Sequence, residues 1–178
     1  MNKRFSTKQL TLTALFLALC VIFQSMKSFS VYLTGSAVNC ILAIATLYCG
    51  LFSGTLIAVL TPIIAFLIGA TPIINVIPLM MPVIMLGNEC MVLSIFSLRK
   101  KHLEIGMLTG CITKALFLWA TVWFALLPVF GKNLPGPMVV TVKTTFSIVQ
   151  LATACIGCAI AWVIYKKGLK SYADLSNC

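Results

Sequence analysis

Apolar residues run along this chain in six long blocks, broken by short stretches rich in Gly, Pro, Asn, Lys and Arg. The blocks predict helices over roughly residues 9–25, 35–49, 51–69, 78–98, 103–127 and 138–165. A membrane-spanning helix needs about 20 predominantly apolar residues. Gly50 marks the turn between the second and third blocks. Pro62 falls inside the third, where it removes one backbone hydrogen bond and kinks the helix, a defect that neighbouring helices accommodate in lipid. Pro72, Asn75 and Pro78 punctuate a segment that reads as a loop, and a Pro/Gly-rich stretch over 128–137 separates the last two blocks. The first block has the basic start of a signal peptide, but no small-x-small cleavage site follows, so it reads as an uncleaved span.

Composition turns this pattern into a class. Hydrophobic residues make up 61% of the 178, charged residues 9%, and the mean hydropathy is +1.09. Soluble domains carry about 25% charged residues. Too little polar surface exists here to coat a soluble globule. The expected fold is an all-α integral membrane protein, a bundle of six transmembrane helices forming one domain over residues 1–178.

The net charge of +10 raises the question of nucleic acid, and its distribution answers it. Lys3, Arg4 and Lys8 precede the first block, Arg99, Lys100 and Lys101 lie between the fourth and fifth, and Lys166, Lys167 and Lys170 follow the sixth. Only Lys27 and Lys132 fall in the opposite loops. That asymmetry is the positive-inside pattern of six spans with both termini cytoplasmic. No basic stripe is interleaved with aromatics for base stacking, so no nucleic-acid partner is expected.

Ionisable groups at bilayer depth are costly and face a bundle or a cavity. Glu89, Lys114 and Lys143 are the three. Glu89 and Lys114 both fall near the midplane of their spans, where an ion pair that locks two helices and a polar ligand site are both open readings. Lys143, Ser147, Gln150, Ala154 and Gly157 recur at helical spacing on the sixth span. The small end of that stripe suits helix packing, whereas a Lys and a Gln suit it less well. Asn39, Asn75 and Asn88 add neutral donors and acceptors, and Trp119 and Trp123 read as lipid or interface anchors. Together these residues suggest an outward-facing polar cavity between the last three helices. Two Lys against one Glu favour a ligand with a carboxylate or other anionic group.

Other chemistries lack their material. There is no G-x-x-x-x-G-K-[ST] loop for ATP and no H-E-x-x-H or G-x-S-x-G motif. Three acids leave nothing for paired-carboxylate catalysis, and His102, the sole histidine, sits in a basic turn. The eight cysteines lie mostly inside apolar blocks, where thiols pack as small hydrophobes, and Cys155-x-x-Cys158 stands without a second pair. No enzyme activity, metal or cofactor is expected.

The chain resembles the substrate-binding S component of an energy-coupling factor (ECF) transporter, in a subgroup without an assigned substrate. The resemblance is carried by six short spans, the basic N-terminus, Ala14-x-x-x-Ala18, Gly35-Ser-Ala-Val-Asn39, Gly50-Leu-Phe-Ser-Gly54, Thr61-Pro62-Ile-Ile-Ala-Phe66 and the Pro72–Asn88 segment. It implies a high-affinity binder of a vitamin or similar micronutrient in the cell membrane. It further implies docking, through Ala14 and Ala18, onto a transmembrane coupling (T) subunit that carries two cytoplasmic ATPases. The pocket residues come from depth and face alone: Asn75, Asn88, Glu89, Lys114, Lys143 and Gln150. Two rival readings stand beside this one. A stand-alone carrier would use Glu89 as a proton-coupling site and work in liposomes with an ion gradient. A membrane scaffold would bind no small molecule and tolerate apolar replacement of both Glu89 and Lys114.

Overall fold

The structure is a computed structural model that describes residues 6–26, 30–69 and 72–169. Among them the regular structure is helical throughout. Helix α1 covers Thr7–Ser25, α2 Val31–Cys49, α3 Leu51–Leu67, α4 Pro72–Val76, α5 Met80–Leu98 and α6 Leu103–Thr121. A π-helical turn, Val122–Leu126, continues α6 into α7, Leu127–Phe130. Then α8, Gly136–Thr144, runs through a second π turn, Thr145–Val149, into α9, Gln150–Ile164. Five of these continuous rods are long and apolar enough to cross a membrane, and α3 is a shorter apolar helix of 17 residues. The segment read as a loop after α3 contains α4, a five-residue helix that Pro72 opens. Proline disrupts a helix interior but fits its first turn, where no N–H is needed.

Local chemistry sets the boundaries. Ser30 caps α2 by accepting from the Leu33 N–H at 3.3 Å. Gly50 takes φ 87°, left-handed backbone that glycine adopts without strain, and so α3 follows α2 with a single residue between them. Inside the spans, hydroxyls such as Thr46 and Thr61 donate to the carbonyl one turn back. That self-satisfaction lets a threonine sit in apolar surroundings.

α2 is the central helix. Every residue from Asn39 to Leu47 is buried. Its closest neighbour is α9, and the approach depends on glycine: a Cβ at Gly157 would lie 2.5 Å from the Ser36 carbonyl oxygen and 2.8 Å from the Cys40 nitrogen. α1 is peripheral, with only Thr13, Cys20 and Gln24 buried. All three face α3, with Thr13 donating to the Ser53 hydroxyl at 2.8 Å and Gln24 to the Thr61 carbonyl at 3.1 Å.

The core divides along the bundle axis. One cluster, with Leu42, Ile57, Met91, Val92, Ile95 and Cys111, fills the half near the α5–α6 turn. A second, with Ile74, Ile77, Met80, Leu118, Val122 and Phe146, fills part of the other half. At the first end Lys166 pairs with Glu104 at 3.0 Å, Trp162 donates to the same carboxylate at 3.2 Å, and Arg99 lies over the Phe96 ring at 4.0 Å. Arg99 also points a guanidinium nitrogen at the Thr46 carbonyl of the last α2 turn, 3.5 Å away. Burial lowers the Arg99 pKa from its ordinary value. The start of α1, the α2–α3 turn, the α5–α6 turn and the end of α9 thus share one end of the bundle. The extreme termini, including Lys3, Arg4 and Lys170, lie outside the described residues.

Candidate ligand-binding cavity

The opposite half is hollow. A cavity of about 510 Å³ opens among the end of α1, the first half of α2, the second half of α3, α4, the start of α5, the middle of α6, α8 and the start of α9. That volume falls within the range typical of small-molecule sites. Its walls are largely apolar, with Val38, Pro62, Ile74, Ile84, Val142 and Phe146 among them. The sequence placed this space between the last three helices; in the structure α1, α2 and α3 supply much of its wall as well. The cause is the central position of α2, which brings Thr34, Gly35, Val38 and Asn39 against it.

Lys114 is the one charged side chain on the described wall. It sits eleven residues into α6, about 16 Å from the start of the helix at 1.5 Å per residue. It is 3% exposed, and its ammonium donates to Asn39 Oδ1 at 2.5 Å. Lysine only donates, so the Asn39 amide oxygen must face it and the amide nitrogen turns toward Thr153 Oγ1, 3.5 Å away. Lys114, Asn39 and Thr153 thereby tie α6, α2 and α9 together beneath the cavity.

Glu89 is not the partner of Lys114. Among the described residues the ion pair present is Lys166–Glu104, at the bundle end. Successive helical residues point about 100° apart. With Asn88 turned into the cavity, Glu89 is turned to the α3 seam, where the Thr55 hydroxyl donates to Oε1 at 2.8 Å. The neighbouring positions on that side, Leu86 and Leu93, are exposed on the bundle surface. Asn88, 5% exposed, lines the cavity and donates to the Ala58 carbonyl at 3.3 Å.

The stripe on the sixth span is split. Gln150 and Thr153 line the cavity and Gly157 packs on α2, but Lys143 does neither. Its ammonium lies 4.3 Å over the Trp123 ring, and Ser147 faces a shallow apolar groove with Trp119 and Leu151. The π turn at Thr145–Val149 is the reason. A π turn holds an extra residue, so the helix before it is rotated relative to the helix after it. Phe146, with φ −95° and ψ 16°, marks the kink. Asn75 belongs to α4, and its side chain lies outside the described residues. Five polar wall residues carry no reading from the sequence: Gln24, Thr34, Thr141, Thr145 and Thr153. Thr153 stood three residues past Gln150 on the same face; Gln24, at the polar end of the first apolar block, carried no comparable signal.

Ala14 and Ala18 lie on the exposed side of α1, away from the buried Thr13, Cys20 and Gln24. The geometry therefore combines a small-molecule cavity in one half of a membrane bundle with a peripheral helix whose small-residue face is open. Such an architecture defines a ligand-binding membrane subunit. A family model for the ECF transporter substrate-specific component matches residues 8–167, and the chain belongs to that family. No curated protein and no solved structure matches it. The chain is accordingly a multi-pass cell-membrane protein, the substrate-binding subunit of a transporter and not an enzyme, working with a T subunit and ATPases.

Proposed function

We propose that the protein captures a vitamin or related small micronutrient bearing an anionic group, from outside the cell, for ATP-driven uptake. The observation that carries this reading is Lys114, a buried ammonium on an otherwise uncharged described cavity wall, with a neutral amide as its partner. A buried charge is costly unless it is paired. A ligand carboxylate supplies the missing counter-charge, while the apolar walls accept the body of the molecule. Asn88 and Gln150 line the same space and are the accompanying polar contacts. The cavity lies in the half opposite Arg99 and Lys166, and the positive-inside rule makes that half the outer one. The ligand then enters from outside, and movement of the bundle on the T subunit, driven by two ATPases, releases it inward. Glu89, on which a proton-coupled carrier would depend, accepts from Thr55 and is absent from the cavity wall.

The test is to purify the protein in mild detergent, identify the small molecule released on denaturation, and measure its rebinding by calorimetry. Lys114→Met is expected to weaken binding by roughly 10- to 100-fold, the worth of a charge-assisted hydrogen bond. Lys143→Met is expected to leave it unchanged. Equal affinity of wild type and Lys114→Met contradicts the anionic ligand.

A further inference from the structure

Two amides on the α3 side of the cavity have their orientation dictated by the backbone. Pro62 has no N–H, so the Ala58 carbonyl four residues earlier loses its helical donor. Asn88 Nδ2 replaces that donor at 3.3 Å. A carbonyl only accepts, so the amide nitrogen is committed to Ala58 and the amide oxygen is turned away from it. Gln24 repeats the arrangement. Its Nε2 donates to the Thr61 carbonyl at 3.1 Å, and its Oε1 has no partner. Asn88 likewise makes no second hydrogen bond among the described residues. Both side chains belong to the cavity wall, and they are 5% and 6% exposed. The carbonyls that hold them are three residues apart on α3, about 4.5 Å along the helix axis. An enclosed acceptor without a donor, as at Gln24 Oε1, is unfavourable, and no cation on the described wall other than Lys114 is there to supply one.

We propose that Gln24 and Asn88 form a fixed pair of acceptors that selects substrates carrying N–H or O–H donors on the side turned to α3. The substrate class is then a small molecule with one acidic group and an amide-, lactam- or ureide-type N–H edge. The proposal rests on the anionic-ligand reading above, which places the acidic group at Lys114. The donor edge makes the specificity: a site built to bond an N–H leaves its acceptors unpaired when that hydrogen is replaced by methyl, and the analogue is rejected. Pro62 acts as a positioning residue, because it frees the carbonyl that orients Asn88.

The experiment uses the full chain in detergent and matched pairs of ring lactams and cyclic ureides, each bearing one carboxylate, as the N–H compound and its N-methylated counterpart. Affinities are read by calorimetry. In the wild type the N–H member of at least one pair is expected to bind about tenfold or more tightly. Gln24→Met is expected to reduce that preference several-fold. Asn88→Leu alone leaves the Ala58 carbonyl bare and threatens folding; the double variant Pro62→Ala with Asn88→Leu restores a backbone donor to Ala58 and keeps the fold testable. It too is expected to lose the preference, while carboxylate binding persists. Pro62→Ala alone releases the Asn88 amide to rotate and is expected to blunt the preference without abolishing affinity. Carboxylates that bind through Lys114 with equal affinity in every N–H and N-methyl pair overturn the acceptor pair and leave the anionic reading intact. A preference that survives both Gln24→Met and the double variant also overturns it. Failure of every carboxylate to bind the wild type overturns both.

Discussion

Helices α1 and α2 have the same length, 19 residues, and nearly the same mean hydropathy, 1.5 and 1.6 over their most apolar windows. Yet 17% of that window is buried in α1 and 56% in α2. In lipid, apolar side chains gain little by leaving the hydrocarbon for a protein interior, so hydropathy does not choose which helix is central. Close approach and polar pairing do. α2 offers Gly35, Ser36 and Asn39 to α9 and Asn39 to Lys114, so its surroundings are fixed on several sides. α1 offers hydroxyl and amide groups on one side only, through Thr13 and Gln24, and leaves Ala14 and Ala18 uncovered. α2 supplies several residues of the cavity wall, whereas α1 supplies Gln24 and otherwise keeps its small-residue face open, the face expected to meet the T subunit.

The contrast is broken most severely at the α2–α9 seam. Gly157→Val pushes a side chain into α2 backbone that has no rotamer with which to yield, and is expected to abolish recovery of monodisperse protein on size-exclusion chromatography. The equivalent insult on α1 is expected to spare the fold. Ala14→Trp and Ala18→Trp are expected to keep wild-type melting and ligand affinity while abolishing co-purification of the T subunit. Loss of ligand binding in these variants contradicts the division of labour between the helices. A smaller effect is expected at the α1–α3 contact. Thr13→Val removes the bond to Ser53, and interhelical hydrogen bonds of this kind are worth about 0.6 kcal/mol on average in membranes, to be read from denaturant unfolding.

The helices were legible from the sequence because apolar blocks of spanning length and basic clusters at their ends follow directly from lipid thickness and membrane potential. Counting residues put Lys114 and Asn88 at similar levels of their helices, and both line the same cavity. Facing was not legible. Asn88 and Glu89 are neighbours at one depth, and the choice of which enters the cavity depends on the Ala58 carbonyl that Pro62 frees on another helix. Lys143 failed for a different reason. A uniform helical period was carried through Thr145–Val149, where the backbone inserts a π turn, and no residue there announces it as proline announces a kink. Gln24 went unnoticed because a glutamine at the end of an apolar block looks like a water-facing boundary, and only the position of Thr61 on α3 shows it turned inward.

One measurement tests the family role most directly: a tagged pull-down of the wild-type chain from its native membrane in mild detergent, with the co-eluting proteins identified by mass spectrometry. Recovery of a membrane coupling subunit together with two ATPases is the predicted result. A chain that elutes alone, in a detergent that preserves other complexes of this family, contradicts it.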